Sequence, residues 1–500
     1  MYNIIKLNEK DNVAVAPMLI PAHTQVDLNV ISSDAIPFGH KIALSKIEKN
    51  SFIYKYGQII GIASKDILPG EHVHSHNLEF SEFDRFFEIK DNKSKAINDS
   101  HDVFFEGFKR KNGKSGTRNY IGLLSTVNCS ATVVKKIADA VNNSFKLKEY
   151  ANIDGAVCLK HSSGCGMNTS GYGMTIFNQT IEGFKQHPNF AKVFVIGLGC
   201  ECAQISLYQD KQQDDRVVYM NIQDEGGTKR IIENVSSQII EMLPYLNNEE
   251  RVKIPISELT VALQCGGSDA YSGITANPAL GYASDLIVKH GGSTILAETP
   301  EIYGAEHLLF ERAGNTAIVK KLQKQIDWWK HYTSINEGSL DNNPSPGNKK
   351  GGLTTILEKS LGAVAKSGTS IMEDVLNYAE PLKKKGFNYM DSPGYDPVSV
   401  TGQVASGSNV ICFTTGRGSC FGFKPSPSIK IATNTNMFNK LEEDMDINAG
   451  TIMDGESDIA EIGEKIFHRI ISTASGKLTK SEINGYGDDE FNPWVIGATM

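Results

Sequence analysis

The stretch that decides the fold of this 500-residue chain is residues 121–141, IGLLSTVNCSATVVKKIADAV. The apolar run Ile121–Val127 predicts a buried strand, and the short polar turn Asn128-Cys129-Ser130 follows it. Apolar residues then recur at helical spacing as far as Val141. A buried strand that turns at once into a helix is typical of a βαβ unit, so the stretch indicates a parallel sheet.

The same pattern of an apolar run followed by a glycine-rich loop recurs along the chain. Buried strands separated by helices of this length predict two α/β regions. The further runs are Ile153–Leu159, Val193–Leu198, Leu259–Leu263 and Val410–Thr414.

The first eighty residues differ, because their short apolar runs are separated by turn residues and have no helical period. The predicted fold class is therefore α/β, with a small, mostly-β N-terminal domain before two α/β regions with largely parallel sheets. The predicted domains are residues 1–95, 103–246 and 252–500, with Asp91–Asp102 as a linker. Residues 342–352, NNPSPGNKKGG, predict a long irregular loop of the kind that is usually functional or disordered. The short runs are Val13–Leu19, Lys41–Leu44, Phe52–Tyr56 and Ile59–Ala63.

Composition excludes several classes of protein. A net charge of −8 without a basic block argues against nucleic acid as a partner. No apolar run is long enough for a membrane helix, and charge interrupts the N-terminus too early for a signal peptide. Eight cysteines in 500 residues are too sparse for a disulfide scaffold. We therefore expect a cytoplasmic, multidomain enzyme with reduced thiols.

Histidines form the first candidate site. His72, His74 and His76 alternate along the chain and would share one face of a strand, with alternate Cα atoms roughly 6.6 Å apart. That spacing lets two of them bind one ion with the help of a bend, and His40 is the candidate to join them from a neighbouring strand. Solvated edge histidines are the alternative, but three in five residues favour metal binding or catalysis. Imidazole suits several metals, so the metal stays open.

Cysteines form the second candidate site. Cys129, Cys165, Cys200 and Cys265 each lie at or just beyond the end of a predicted parallel strand, where ligands bind in open α/β sheets. Small buried residues in tight turns are the alternative for any one of them. Four similar loops favour a crevice, while direct ligation by thiolate stays open. An iron–sulfur cluster is the less favoured interpretation, because the spacings contain no C-x2-C run.

Basic residues complete the set of candidates. Arg118 and Arg417 lie among small residues and could each hold a carboxylate, although pairing with a buried acid explains them equally well. Lys160 and His161 are candidates for proton transfer. Neither a dinucleotide fingerprint nor a P-loop occurs, so no nucleotide cofactor is expected.

With these motifs, the chain resembles the altronate/galactarate dehydratase family of sugar-acid hydro-lyases almost from end to end. The N-terminal part is similar to the SAF domain of that family, which has a β-clip-like fold. The strings that carry the resemblance are Gly39-His40-Lys41, Gly70-Glu71-His72-Val73-His74-Ser75-His76, Gly116-Thr117-Arg118-Asn119, Gly164-Cys165, Gly197-Leu198-Gly199-Cys200-Glu201, Cys265-Gly266-Gly267-Ser268-Asp269, Asn343-Pro344-Ser345-Pro346-Gly347-Asn348-Lys349, Thr415-Gly416-Arg417-Gly418 and Ile447-Asn448-Ala449-Gly450.

The resemblance implies loss of water from a hexonate, D-altronate first, to give a 2-keto-3-deoxy acid. It also implies a divalent metal, Fe²⁺ typically and Mn²⁺ as an alternative, which would stabilise the enediolate. On this basis the metal is expected to bind His40, His72, His74 and His76. Proton transfer is expected from Lys160 or His161. The substrate is expected to contact Arg118, Ser268, Asp269, Asn348, Lys349 and Arg417.

Other functions stay open at this point. The segment Thr299–Glu306 resembles the altronate branch, whereas Asn277–Gly281 and Met445–Ile452 resemble the galactarate branch. Sulfolactate lyases share parts of this fold, so a leaving group other than water is also open. The alternative from a different class is a non-catalytic protein that binds sugar acids or metal. The length of the two α/β regions argues against it, because a binding module does not need them. The expected partner is a small sugar acid, without membrane or nucleic acid, and homo-oligomer formation is left open.

Overall fold

The computed structural model of the chain describes residues 2–26, 29–83, 103–209 and 214–497. The predicted linker Asp91–Asp102 and the predicted domain end at residue 95 lie outside the described residues. Within the described residues the predicted fold class is confirmed: a strand-rich N-terminal domain precedes parallel sheets flanked by helices.

The N-terminal domain consists of two three-stranded antiparallel sheets, with strand orders β1-β2-β5 and β3-β4-β6. Its short strands end where Pro, Gly, Asn or Asp turns interrupt the apolar runs. The strands are β1 (Val13–Val15), β2 (Lys41–Ala43), β3 (Phe52–Lys55), β4 (Gln58–Ala63), β5 (His72–Val73) and β6 (Leu78–Glu79).

The middle region holds a four-stranded parallel sheet of order β10-β9-β11-β12, in which β9 is the expected strand at residues 121–127. Helix α1 buries Val133, Val134 and Ile137 against this sheet, as their helical spacing predicts. The elements are β7 (Phe104–Lys109), β8 (Ser115–Gly116), β9 (Tyr120–Ser125), α1 (Asn128–Asn142), β10 (Gly155–Leu159), α2 (Tyr172–Lys185), β11 (Phe190–Gly197), β12 (Val217–Asn221) and α3 (Thr228–Leu246).

The C-terminal region is built on a seven-stranded, wholly parallel sheet of order β16-β17-β15-β14-β18-β19-β20. One further strand, β13, pairs instead with β7. The elements are β13 (Val252–Pro255), β14 (Thr260–Cys265), α4 (Ala276–Lys289), β15 (Ser293–Leu296), α5 (His307–Phe310), α6 (Thr316–Ile335), α7 (Pro346–Lys350), α8 (Ile356–Val364), β16 (Met372–Leu376), β17 (Gly386–Met390), α9 (Asp396–Ala405), β18 (Val410–Thr415), β19 (Ser428–Ala432), α10 (Thr435–Lys440), β20 (Ile447–Asn448), α11 (Ile459–Ala474) and α12 (Lys480–Ile483).

Residues 342–352 correct one expectation, because they are not irregular throughout. The single-turn helix α7 forms within them, and Ser345 caps it in a capping box with Asn348. Pro346 at the first helical position has no N–H that would need a partner there. Turn residues and caps share the same amino-acid types, so composition alone could not separate a loop from a capped turn.

The C-terminal region lies at the centre of the packing. One hydrophobic cluster joins Ile53 and Ile60 of the N-terminal domain to Leu263 and Ile302, and a second joins Phe177 of the middle region to Phe413. None of the helices in the described ranges is long and apolar enough to cross a membrane.

Candidate active site

Four histidine rings meet at the end of β5. The ring centroids of His40 and His74 are 4.7 Å apart, and those of His72 and His76 are 5.2 Å apart. Strand β5 ends at Val73, and a turn closed by hydrogen bonds from the backbone N–H groups of Asn77 and Leu78 to the carbonyl of His74 follows it. This bend brings His76 back beside His72. His40 comes from the residue before β2, which pairs with β5.

The histidine cluster lies against helix α7 of the C-terminal region. His74 Nε2 is 2.9 Å from the carbonyl oxygen of Lys349, and His40 Nε2 is 3.3 Å from that of Lys350. The contact requires Gly352, whose φ is +99° and whose position would place a Cβ 2.3 Å from the carbonyl oxygen of Gly39. Glycine therefore lets the two backbones approach closely enough for the histidines to reach α7.

Burial lowers the pKa of three of these imidazoles, those of His40, His72 and His74, and so favours their neutral form. It lowers the pKa of His72 to about 3, with further contributions from the neighbouring histidines, and it lowers the pKa of His74 to about 4. The pKa of His40 is lowered for the same first reason. Neutral imidazole is the form that binds a metal ion. His40 Nδ1 and His72 Nε2 lie 2.9 Å apart, so two ring nitrogens already point at each other.

A buried ion triad beside the histidines joins the two domains. The ammonium groups of Lys41 and Lys55 each lie 2.8 Å from an oxygen of Glu358 on α8, and all three side chains are almost fully buried. The two lysines lower the pKa of the Glu358 carboxyl against the effect of burial. Burial, reinforced by Lys55, lowers the pKa of Lys41 to about 8.

A cavity of about 530 Å³ opens at the carboxyl ends of β14 and β15, next to α7. Parallel sheets bind ligands at this edge. Ser345 and Asn348 line the cavity, and the backbone of the same turn accepts hydrogen bonds from the histidines. The remaining lining includes Cys265, Gly266, Gly267, Glu301, Asn343, Lys359, Tyr395 and Asp396.

Charged groups line this cavity or lie just behind its lining residues. Lys359 Nζ lies 2.6 Å from Glu301 Oε1, and Lys366 Nζ lies 3.0 Å from Cys265 Sγ. Burial raises the pKa of the Glu298 carboxyl well above its usual range, with Glu301 adding to the effect. The same two causes raise the pKa of Asp396. Carboxyl groups with raised pKa values in a cavity are candidates for proton transfer.

Among the residues that the structure describes, Cys265, Glu298 and Glu301 are the set of three ligand atoms that lie within 4.8 Å of one another, a spacing that a metal ion accepts. Two ammonium groups already contact this set, because Lys359 pairs with Glu301 at 2.6 Å and Lys366 lies 3.0 Å from Cys265 Sγ. The histidine cluster instead offers imidazole nitrogens, which iron and manganese accept as ligands.

Of the predicted substrate residues, Asn348 lines this cavity, and Ser268, Asp269, Lys349 and Arg417 lie on the turns and loops next to its lining residues. The backbone N–H of Arg417 donates to the carbonyl of Gly267 at 3.0 Å. Ser268 is buried just behind the cavity, with its hydroxyl 3.5 Å from Cys265 Sγ. The Asp269 carboxylate is buried and accepts hydrogen bonds from the loops around it. Lys349 is half-buried on α7.

Three other predicted residues lie elsewhere. Arg118 is fully buried and forms a bidentate pair with Glu482 at 2.6 and 2.9 Å. Lys160 pairs with Asp489, and His161 packs against Phe177 with its Nε2 2.8 Å from the carbonyl of Ser125. Burial lowers the pKa of His161 to about 4. None of the three predicted residues lines the cavity.

Sequence reasoning missed the charged groups that line the cavity or lie just behind it. Glu298 and Glu301 follow the apolar run of β15 and carry the same strand-end signal as the cysteines, so that pattern could have found them. Lys359 and Lys366 lie on or just after α8 and carry no such signal.

Comparison with known proteins matches three family descriptions in chain order. Residues 2–81 match the Altronate/galactarate dehydratase SAF domain. Residues 107–247 match the D-galactarate dehydratase/Altronate hydrolase second domain. Residues 256–499 match the D-galactarate/Altronate dehydratase C-terminal domain.

Curated relatives extend over almost the same length. The chain is 35% identical over 492 residues to altronate dehydratase of Bacillus subtilis, covering 97% of this chain and 98% of that protein. It is 38% identical over 486 residues to galactarate dehydratase (L-threo-forming) of Escherichia coli, covering 95% and 93%. It is 30% identical over 385 residues to (2R)-sulfolactate sulfo-lyase subunit beta of Chromohalobacter salexigens, covering 76% and 95%.

Proposed function

The chain belongs to the altronate/galactarate dehydratase family and is a hydro-lyase, and we propose that its substrate is a hexonate, D-altronate, converted to a 2-keto-3-deoxy acid. One observation carries the proposal. The histidine cluster contacts the backbone of α7, and Ser345 and Asn348 of the same turn line the cavity. The proposed metal donors and a sugar-sized cavity thus adjoin the same turn, while none of the four histidines itself lines the cavity.

The donor set fits a divalent metal, and His40, His72, His74 and His76 would hold it. Burial lowers the pKa of His40, His72 and His74, and the neutral imidazole that this favours is the form that binds a metal ion. When bound, Fe²⁺ or Mn²⁺ supplies positive charge that stabilises an enediolate.

The residues of the cavity suit the proton transfer at C2. We assign the abstraction of the C2 proton to Asp396, because its carboxyl lines the cavity and burial raises its pKa toward the range of an effective base. The Lys359 ammonium also lines the cavity and can balance the charge of the enediolate. Arg417 and Lys349 are proposed for the substrate carboxylate and Asn348 for a hydroxyl.

Galactarate is the second candidate substrate, and the similarity to galactarate dehydratase favours it. Galactarate carries a carboxylate at each end and needs a second cationic contact, which an aldonate does not. A sulfolactate has the same type of acidic proton with a different leaving group, and the partial match to the sulfo-lyase subunit supports including it.

A keto-acid assay with added ferrous iron under reducing conditions tests these choices. The panel contains D-altronate, galactarate, other hexonates and hexarates, and (2R)-sulfolactate. We expect keto acid from D-altronate. Binding of metal and sugar acid without turnover of any member would favour a binding protein and contradict the proposal.

Variants of the histidine cluster test the metal site. His40→Ala and His74→Ala should lose metal-dependent turnover with the fold intact, because each removes one donor of the cluster. His23→Ala is the matched control, since His23 is exposed in the same domain. Iron retained by the purified protein and keto-acid formation are measured. Full activity in either cluster variant would contradict the metal assignment.

A further inference from the structure

The carboxyl edge of the smaller sheet carries a second set of possible ligands that the proposed function does not use. We infer that Cys129, Cys165 and Cys200 bind an iron–sulfur cluster at this edge. The inference goes beyond the proposed function, since it rests on the middle region alone. The three thiols follow the neighbouring strands β9, β10 and β11, which run parallel with β9 at the centre.

The three loops are joined to one another directly. The backbone N–H of Asn128, beside Cys129, donates to the carbonyl of Ser163 at 2.9 Å. The backbone N–H of Ala203, on the Cys200 loop, donates to the carbonyl of Gly164 at 3.2 Å. The β9 and β11 loops are also linked, because Thr126 Oγ1 donates to Glu201 at 2.7 Å.

Glycine makes the closest of these approaches possible. Gly164 has a φ of +100°, and a Cβ there would lie 2.1 Å from the carbonyl oxygen of Thr126. The loop that carries Cys165 therefore packs on the loop that carries Cys129 without an intervening side chain.

The thiols are exposed, which is unusual for cysteine, one of the most commonly buried residues. Cys265 and Cys412 of the larger sheet are buried, as a structural cysteine is expected to be. Exposure without a disulfide leaves all three sulfurs accessible to a ligand. The Gln223 amide also lies 3.7 Å from Cys200 Sγ, and hydrogen bonds to sulfur are one means by which proteins tune iron–sulfur clusters.

Charge and spacing favour a cluster over a single ion. Cys129 lies in the first turn of α1, which has no side-chain cap and no acidic residue in that turn, so the helix end favours an anionic ligand. The three thiols are not among the ligand sets that lie mutually within 4.8 Å, whereas a larger, sulfide-bridged cluster spans a wider gap. Three thiolates leave one iron of a four-iron cluster for a ligand from outside the protein.

Anaerobic reconstitution of the full chain with sulfide and equal amounts of ferrous and ferric iron, which together supply the mixed-valence irons of the cluster, tests the inference. We expect bound iron with acid-labile sulfide and a visible charge-transfer absorbance. Cys129→Ser, Cys165→Ser and Cys200→Ser should each reduce labile sulfide to background. Cys158→Ser is the matched control and should retain it, because Cys158 lies half-buried on β10. Iron bound without sulfide, or sulfide retained in all three variants, would overturn the cluster.

Two further measurements protect the test against misfolded variants and against confusion with the histidine site. In the protein without substitutions, the reconstituted cluster should protect the three cysteines from alkylation, while the exposed Cys420 still reacts. Equal labelling of all four would overturn the inference. A His40→Ala variant should retain labile sulfide even where turnover is lost, so failure of the cluster and failure of the proposed metal site are distinguishable.

Discussion

The two parallel sheets of this chain have similar strand-end loops but differently covered edges. At the larger sheet, α7 and the N-terminal histidines lie over the edge, and Cys265 is buried in contact with Lys366. At the smaller sheet, Cys129 and Cys200 follow equivalent strand ends and remain exposed. The strand-end pattern thus marks where a site can form, and the element packed above decides what chemistry it offers.

Burial of the larger sheet's edge lowers the local dielectric constant and so strengthens the interactions between charged groups there. Glu298 and Lys366 are almost fully buried at the covered edge, so charges there interact strongly and proton affinities shift. An open edge offers solvated thiols and backbone N–H groups, which suit an inorganic ligand better than proton transfer.

The largest expected effect is on turnover at the covered edge. Asp396→Asn should reduce kcat by about 10²–10⁴-fold, the usual contribution of a general base. Because burial raises the pKa of Asp396 and only the carboxylate accepts a proton, activity should fall as pH drops through a value above the ordinary 3.8. The measurements are kcat and kcat/KM against pH, and the Asn variant should lose that acid limb.

Asp374→Asn is the matched control for Asp396, because Asp374 is half-buried beside Lys321, outside the cavity. It should leave kcat and the pH profile unchanged. An Asp396→Asn enzyme with the parental kcat would remove the proposed base.

The next largest effect concerns the ion triad that joins the N-terminal domain to α8. Glu358→Gln leaves Lys41 and Lys55 buried without their carboxylate and should lower the free energy of unfolding by about 3–5 kcal/mol. The pKa of Glu358 is depressed in the fold, so this stabilisation is complete above the ordinary value of 4.5 and is lost as pH falls below it. Denaturant unfolding at neutral and acidic pH measures both.

Glu48→Gln tests the same change in an exposed pair with Lys46 and should cost less than about 1 kcal/mol. If Glu358→Gln lowered the free energy of unfolding no more than this control, the triad would not hold the N-terminal domain on the C-terminal region.

Local pattern predicted much of the fold. The strand expected at Lys41–Leu44 is observed at Lys41–Ala43, since apolar runs bounded by turn residues specify short strands well. The helix expected over Ala131–Val141 begins earlier, at Asn128, whose backbone N–H is bonded to Ser163 of another loop. Such a partner is distant in sequence and invisible to periodicity.

The candidate site was predictable mainly where its parts are close in sequence, with His40 as the one distant residue that was expected beside them. His72, His74 and His76 are recognisable from their spacing, whereas the pairing of Glu301 with Lys359 joins positions 58 residues apart. Arg118 shows the same limit, because Glu482, which occupies its guanidinium, is 364 residues away. An arginine among small residues looks the same whether a substrate or a distant carboxylate pairs with it.

The smallest expected effects compare the two edges directly. Cys265→Ala in metal-free protein removes the thiol 3.0 Å from buried Lys366 and should cost about 1–3 kcal/mol, because a buried polar group loses its nearest partner. Cys200→Ala on the open edge should stay within about 0.5 kcal/mol, as surface substitutions usually do. Denaturant unfolding of both variants without iron or sulfide measures the difference. Equal costs would mean that the cover over the larger sheet does not change the energetics of its strand ends.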